Sequence, residues 1–401
     1  MTKHHIITRT VWALSFVSLC TDVASEMLYP VMPMYLKSIG FSVLLIGILE
    51  GVAEATAGLS KGYFGNLSDA SGKRVPFVRL GYVLSAISKP MMAVLAYPFW
   101  ILFARTIDRL GKGVRTAARD ALLSDEATSE TKARVFGFHR SMDTLGAVIG
   151  PMLALAYLYY NPEHYKTLFF IAFVPGAVAV ALTFFLKDKP REQNKSDRPT
   201  FFAFLGYWKT STAQYRRLVI GLLLFTLFNS SDIFLLLKVK EAGLSDTGVI
   251  GVYIFYNLVY ALFSYLAGII ADKLGFKGTF VAGLVIFAFV YGGMAFASGL
   301  YVFLGLFLLY GVYAACTESI AKAWITNIAS KSETATAVGV YSAAQSICTL
   351  VASSLAGMLW FAFGAETTFL VTAFATVIVI IYCIAAVEVA PTGVEHRTSL
   401  H

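Results

Sequence analysis

The chain has 401 residues, 57% of them hydrophobic and only 14% charged, with a mean hydropathy of +0.69. An ordinary soluble domain is about 45–50% apolar and about 25% charged, so a chain with 32 Phe and 21 Tyr would expose more apolar surface than water tolerates. Low charge and only 11 prolines exclude a disordered chain, which leaves a polytopic membrane protein.

The apolar residues fall in blocks of about 20, the length that crosses a hydrocarbon core of roughly 30 Å. Twelve spans are expected. The first six are 10–36, 43–65, 76–96, 98–118, 134–160 and 167–187; the second six are 217–239, 246–271, 278–297, 300–327, 334–363 and 367–388. Lys3 and Arg9 before an apolar run resemble a signal peptide. That run carries Asp22 and Glu26, reaches Leu36 and lacks a small-residue cleavage pattern, so it reads as a permanent helix. The fourth span is interrupted by Arg105, Asp108, Arg109 and Lys112 and departs furthest from a plain apolar block. Residues 187–217 open with a charged stretch, expected to be a solvated linker, and continue into an aromatic stretch at 201–208, expected to be an interfacial helix. The fold class is all-α, a twelve-helix membrane protein. Its expected division is an N-terminal six-helix bundle at 1–187, a cytoplasmic central loop at 188–216, and a C-terminal bundle with a short cytoplasmic tail at 217–401.

The net charge of +8 is not gathered on one face, as a nucleic-acid-binding protein would require. Twenty Lys and Arg lie in segments on one side of the spans, and only Lys37, Lys166, Lys238 and Lys240 lie on the other. That bias places both termini and the central loop in the cytoplasm, and a bacterial-type inner membrane is the expected location. Cys20, Cys316, Cys348 and Cys383 sit inside apolar blocks without paired spacing, so neither a disulfide framework nor a zinc site is indicated. Met27, Met32, Met34, Met91 and Met92 have no His or Cys at ligand spacing; they read as packing residues, and no metal is expected.

The halves repeat. Lys37-Ser-Ile-Gly40-Phe-Ser42 recurs as Lys240-Glu-Ala-Gly243-Leu-Ser245, and in the same register Gly65, Asp69, Gly72 and Arg74 fall on Gly268, Asp272, Gly275 and Lys277. Several matches in one register point to duplication, with two six-helix halves around a central site. The glycines permit close helix approach and tight turns, and an Asp at a helix end can pair with a cation and with a neighbouring helix N-terminus. Such contacts could hold one side of the molecule shut. The plain alternative is a topology anchor with ordinary loop glycines.

Gly65-Asn-Leu-Ser-Asp69-Ala-Ser-Gly72-Lys73-Arg74 resembles the cytoplasmic loop motif of the major facilitator superfamily, with Ala70 where the family usually has a basic residue. Gly268-Ile-Ile-Ala-Asp272-Lys273-Leu-Gly275-Phe-Lys277 resembles its second-half copy and departs at Phe276. The resemblance covers nearly the whole chain. It implies two pseudo-symmetric six-helix bundles and a secondary transporter, and it leaves the substrate open. Arg105-Thr-Ile-Asp108-Arg109-Leu-Gly111 resembles the superfamily's fourth-helix arginine motif, with Asp108 where Gln is common and Arg109 where Gly is common; this implies a proton-transfer role for Arg105. Gly146-Ala-Val-Ile-Gly150-Pro151 resembles the antiporter motif, with Leu153 and Ala154 replacing later glycines, and implies export. Small residues around a proline also serve as a packing and kink site in any helix.

Ionisable groups inside a membrane usually face a cavity or a partner. Asp22 and Glu26 lie four apart on one helix face, with Ser25 and Tyr29 nearby; Glu50 and Glu54 repeat the arrangement, with Lys61 two turns on. Paired carboxyls can hold a proton between them, the property a coupling site requires. They could instead be ion-paired to Lys89 or Arg140. Arg140 with Asp143, His139 with Asp143, and Glu318 with Lys322 have the spacing of structural pairs, and His139 reads as solvated near a helix end. Asp232, beside Asn229, Ser230 and Ser231, suits either a substrate contact or a helix–helix hydrogen bond.

The expected proton-coupling and substrate cavity therefore draws on Asp22, Glu26, Glu54, Arg105, Asp108, Arg140, Asp143, Asp232 and Glu318. The expected latch draws on Gly65, Asp69, Gly72, Lys73, Arg74, Gly268, Asp272 and Gly275. No phosphate-binding glycine loop is present, so the proton gradient is the expected energy source, with no cofactor. The expected partners are a small-molecule substrate, protons and the lipid bilayer; no nucleic acid is expected, and the chain is expected to be a monomer. An importer of a nutrient or metal chelate, or a non-transporting receptor, are the alternatives. No nucleophile–base set or metal triad suggests an enzyme.

The topology gives a direct test. Single cysteines at Ser196 and Ser298, on a cysteine-free background, should react with an impermeant reagent from opposite sides; labelling of the Ser196 site in intact cells would overturn the assignment.

Overall fold

The structure, a computed structural model, describes residues 6–29, 31–41, 43–162, 164–189 and 200–387. The Glu50 side chain, the linker stretch 190–199 with Ser196, and the tail at 388–401 lie outside the described residues.

The first half contains α1 (Arg9–Leu28), α2 (Met32–Ser38), α3 (Val43–Ser71), α4 (Val75–Val94), α5 (Pro98–Asp125), α6 (Lys132–Tyr160) and α7 (Tyr165–Leu182). The expected single helix over 10–36 is thus two. The sequence carries Pro30 between them, and a proline removes a backbone donor and crowds the preceding turn. By contrast α5 runs unbroken through Arg105, Asp108, Arg109 and Lys112 and past the expected end at 118. Its opposite face is made of small residues, with Ala104, Gly111, Ala117, Ala118 and Ala121 buried against neighbouring helices. One face packs while the other carries charge.

The second half contains α8 (Tyr207–Thr210), α9 (Ala213–Phe228), α10 (Ile233–Glu241), α11 (Asp246–Leu274), α12 (Phe276–Phe296), α13 (Leu300–Ile328) and α14 (Thr334–Ala386). Here too an expected span, 217–239, is broken. Asn229-Ser-Ser-Asp232 supplies four side chains that compete for backbone hydrogen bonds, and the Ser231 hydroxyl accepts from the Ile233 N–H at 3.4 Å. The breaks fall at matching positions of the two repeats. Helix α14 covers spans eleven and twelve, divided at Gly364, whose φ of +83° is the left-handed region that glycine tolerates. Among the described residues nine helices are long and apolar enough to cross a membrane. The charge-bearing α3 and α5 and the second limb of α14 complete the twelve passes.

Within the first half α1 packs on α6 and α7, and α5 on α3 and α4; within the second, α13 packs on α11 and α12, and α14 on α9 and α12. Two seams join the halves, α3 against α14 and α6 against α11. Both are backbone-to-backbone contacts. A Cβ added at Gly65 would lie 2.5 Å from the Ala335 carbonyl, at Gly339 2.6 Å from the Lys61 carbonyl, at Gly137 2.4 Å from the Ser264 carbonyl and at Gly268 2.4 Å from the Ala133 carbonyl. Only small residues let helices approach this far. All four contacts lie toward the end of the bundle that carries the repeated loop motif. Large apolar side chains such as Phe289, Phe361 and Phe374 project from the outer surface, where lipid covers them.

The aromatic stretch at 201–208 is not the expected interfacial helix. It forms a 3-10 turn (Ala203–Gly206) and the one-turn α8, and Phe204 is buried over the α3–α14 seam, with its ring 2.4 Å from where a Gly62 Cβ would stand. Burial of that one ring, rather than an amphipathic face, fixes the segment.

The seam glycines lead to a stability prediction. Gly65→Val and Gly268→Val each force two backbones apart and should cost about 1–3 kcal/mol, read as a lower Tm of the purified protein. Gly251→Ala should change little, because nothing lies within 4 Å of the added Cβ.

Candidate functional site

A cavity of about 640 Å³ lies between the halves. Small-molecule sites commonly span about 300–1,000 Å³. The seams close it at the loop-motif end, while Tyr29 and Ile233, which line its other end beside the helix breaks, are 49% and 50% exposed. All nine residues of the expected cavity set, Asp22, Glu26, Glu54, Arg105, Asp108, Arg140, Asp143, Asp232 and Glu318, line this one space. The two walls differ. The first half contributes charge from α1, α3, α5 and α6, whereas the second contributes Phe225, Asn229, Tyr253, Tyr256, Asn257, Tyr260, Tyr313 and Tyr341.

The ion pairs depart from simple spacing. Lys89 is engaged by Asp108 at 2.6 Å, with Arg105 3.4 Å from the other carboxylate oxygen, so Lys89 does not hold Asp22 or Glu26. Arg140 does not hold them either. Its guanidinium lies 2.8 Å from Asp143 and 2.5 Å from Glu318, and donates to the Tyr260 hydroxyl at 2.5 Å. Among the described residues Asp22 and Glu26 have no ion-pair partner. Asp22 lies one turn from Ser18, whose hydroxyl donates to Asp143, so the two carboxyls face each other across the α1–α6 contact. Glu54 lies 3.8 Å from Arg109, and Asp232 accepts from the Tyr310 hydroxyl at 2.6 Å.

Glu318 and Lys322 are not paired with each other. They reach in parallel from α13 into the first half, Glu318 to Arg140 on α6 and Lys322 to Asp120 on α5 at 2.9 Å. Attraction across the cavity floor wins over the short-range helix pair because Asp120 is only 1% exposed and needs a counter-charge. Arg119 supplies a second, at 3.0 Å. Sequence reasoning missed Arg119 and Asp120 because the fourth span was ended at 118. The recurrence of charge at 105, 109, 112 and 119, on one face of a helix, was the available signal. His139, expected to be solvated, is 4% exposed, with Nδ1 3.4 Å from the Ser15 hydroxyl. The packing of α6 on α1 covers it.

The latch set divides in two. Asp69 accepts from the Ala335 and Thr336 N–H groups at 3.4 and 2.6 Å and from the Thr336 hydroxyl at 2.7 Å, and pairs with Arg74 at 2.7 Å. Asp272 accepts from the Ala133 and Arg134 N–H groups at 2.9 and 3.2 Å and pairs with Arg134 at 2.7 Å. Each carboxylate therefore sits on the first turn of a helix in the opposite half. Gly65 and Gly268 allow that approach, and Gly72 and Gly275 turn the chain at φ +64° and +91°. Lys73 stands apart, exposed on the turn. Lys277 does not repeat the role of Arg74: it donates to the Ile384 and Val387 carbonyls at the end of α14.

Two pseudo-symmetric six-helix bundles, broken helices at matching positions and one inter-bundle cavity are the layout of a secondary transporter. The family model described as Major Facilitator Superfamily matches residues 14–256 and 235–399. The chain belongs to the Major Facilitator Superfamily. An uncharacterized transporter of that type from Methanocaldococcus jannaschii is 32% identical over 370 residues, covering 91% of each chain. A quinolone resistance protein of Staphylococcus aureus is 24% identical over 167 residues, covering 42% of each. Among solved structures, a human organic anion transporter superposes with a TM-score of 0.80 at 16% identity, covering 94% of this chain and 99% of that one. As a superfamily transporter the protein is a multi-pass membrane protein that takes a small-molecule substrate.

The floor pairs yield the next prediction. Asp120→Lys and Lys322→Asp should each lower Tm and open the floor, since an uncompensated buried charge costs about 3–5 kcal/mol. The double exchange should recover at least half of the loss; no recovery would mean the pair is incidental.

Proposed function

We propose that this chain is a proton-coupled secondary active transporter that moves a small organic solute across the inner membrane by alternating access, exporting it by antiport. The observation that carries the coupling is the Asp22–Asp143 carboxyl pair at the α1–α6 contact. Two carboxyls that face each other on one helix contact repel unless one of them holds a proton. Asp143 in turn holds Arg140, and Arg140 holds Glu318 of the other half. Charge at the pair is thereby linked to a contact that must break when the halves rock. A proton on Asp143 weakens its hold on Arg140, and deprotonation restores it.

On this reading Asp69 and Asp272 are the latch. With both termini and the linker in the cytoplasm, they close the cytoplasmic side, and the cavity faces outward. Export is supported by the Gly146–Pro151 stretch, in which Cβ atoms at Gly146 and Gly150 would meet the α1 backbone at 2.7 Å, so that α6 locks onto the carboxylate-bearing helix. It is also supported by the partial match to a quinolone resistance protein. A single chain encloses the whole cavity, which suits a monomer.

Proteoliposome flux with an imposed pH gradient tests the coupling. Asp22→Asn and Glu26→Gln should each reduce gradient-driven accumulation at least tenfold while leaving exchange down the substrate's own gradient measurable. If both variants are stable and still couple flux to the gradient, these carboxyls do not carry the proton.

A further inference from the structure

We propose that the transported solute is an organic anion, a carboxylate with an aromatic or similarly flat body, whose head group sits between Lys61 and Lys112. The proposal rests on the transporter reading above and assigns a substrate class to the same cavity.

Lys112 projects from the middle of α5 into the open volume of the cavity, where its side chain is exposed although the residue lies deep in the bundle. Among the described residues nothing ion-pairs or hydrogen-bonds with its ammonium group. Lys61, on α3, donates only to the Ser346 hydroxyl of α14, at 3.2 Å. Helices α3 and α5 meet beside the two lysines, where a Cβ on Gly113 would lie 2.4 Å from the Ser60 side chain, so Lys61 and Lys112 stand at one level of the cavity. The other cationic side chains of the cavity are engaged by carboxylates or, for Arg115, by the Ser85 hydroxyl and the Tyr82 ring. Glu54 is the one carboxylate that acts on both lysines, and it also faces Arg109 at 3.8 Å, so two ammonium groups and a guanidinium share one counter-charge and still repel inside a membrane protein, where charge is weakly screened. A carboxylate placed between them removes the repulsion and gains two charge-assisted hydrogen bonds.

Two of the acidic groups on the cavity wall, Asp22 and Asp232, are less available to a cation. Asp232 accepts from the Tyr310 hydroxyl, and the turn of α1 that carries Asp22 is covered by Gly146. The body of the solute is read from the facing wall. Tyr253, Tyr256 and Tyr260 recur along α11 and line the cavity, offering flat apolar faces with hydroxyl edges. Lys61 also stands beside the α3–α14 seam, since its carbonyl is the atom that Gly339 approaches. An anion held there would sit on the contact that opens.

Three probes of equal body and different head group test this: 3-phenylpropionate, 3-phenylpropanol and 3-phenylpropylamine, titrated by calorimetry and thermal shift against the full chain in lipid nanodiscs. The carboxylate should bind in the millimolar range or better, at least tenfold more tightly than the alcohol or the amine. Lys112→Gln should abolish that preference and Lys112→Arg should keep most of it. Should Lys112→Gln not fold, Lys61→Gln and the wild-type ranking still decide. The proposal is overturned if the amine or the alcohol binds as well as the carboxylate, if none of the three binds, or if a folded Lys112→Gln retains the preference. Each of those results leaves pH-driven flux intact as a separate measurement; only its absence for every compound would remove the transporter reading itself.

Discussion

Each half of this molecule caps a helix that the other half leaves bare. Helices α6 and α14 begin at Thr131 and Glu333 with no side-chain cap of their own. Their first N–H groups are instead satisfied by Asp272 and Asp69, which come from the ends of α11 and α3. A helix start without partners for its donors is unfavourable, and a carboxylate there is also favoured by the helix dipole. In soluble proteins a cap of this kind is worth about 0.5–2 kcal/mol. Two such caps crossing in opposite directions make each half complete only in the presence of the other. The glycine seams exist to let these carboxylates reach, and the cavity is closed at that end because they do.

Above the seams, the membrane imposes a second constraint, which is that charge must be matched or made useful. The first half solves it with short internal pairs, such as Lys89 with Asp108, and with pairs that reach the other half, such as Arg140 with Glu318. The second half brings few charges and many tyrosines. This asymmetry has arisen within a visible repeat: Asp69 and Asp272 do the same work, whereas Arg74 turns to Asp69 and Asp125 and its counterpart Lys277 turns to the carbonyls that end α14. The two halves share their seams and differ in their walls.

Much of this was legible in the sequence. Block length and charge bias fixed the number of passes, and the 203-residue repeat located the seams, because close helix contact can be made only with small residues at set spacings. The nine expected cavity residues converge because a buried charge on a membrane helix has few other places to go. What resisted reading was partner choice. Glu318 and Lys322 have ideal spacing for each other, yet both cross to the first half, since which distant charge lies opposite depends on how the bundles dock. Asp120 was lost when an apolarity rule cut α5 short. The ends of α1 at Leu28 and of α9 at Phe228 escape a reading by average hydropathy, which does not register a proline or a run of Asn, Ser and Asp.

Phe204 gives the linker a mechanical role. Its ring fills the notch above Gly62, beside the place where α3 meets α14. Parting those helices requires the ring either to travel with α3, dragging the tether, or to slip out and meet a polar environment at about 2 kcal/mol. The tether is therefore a doorstop as well as a string. Shifting that one ring alters how tightly α3 meets α14 while leaving the cavity walls untouched.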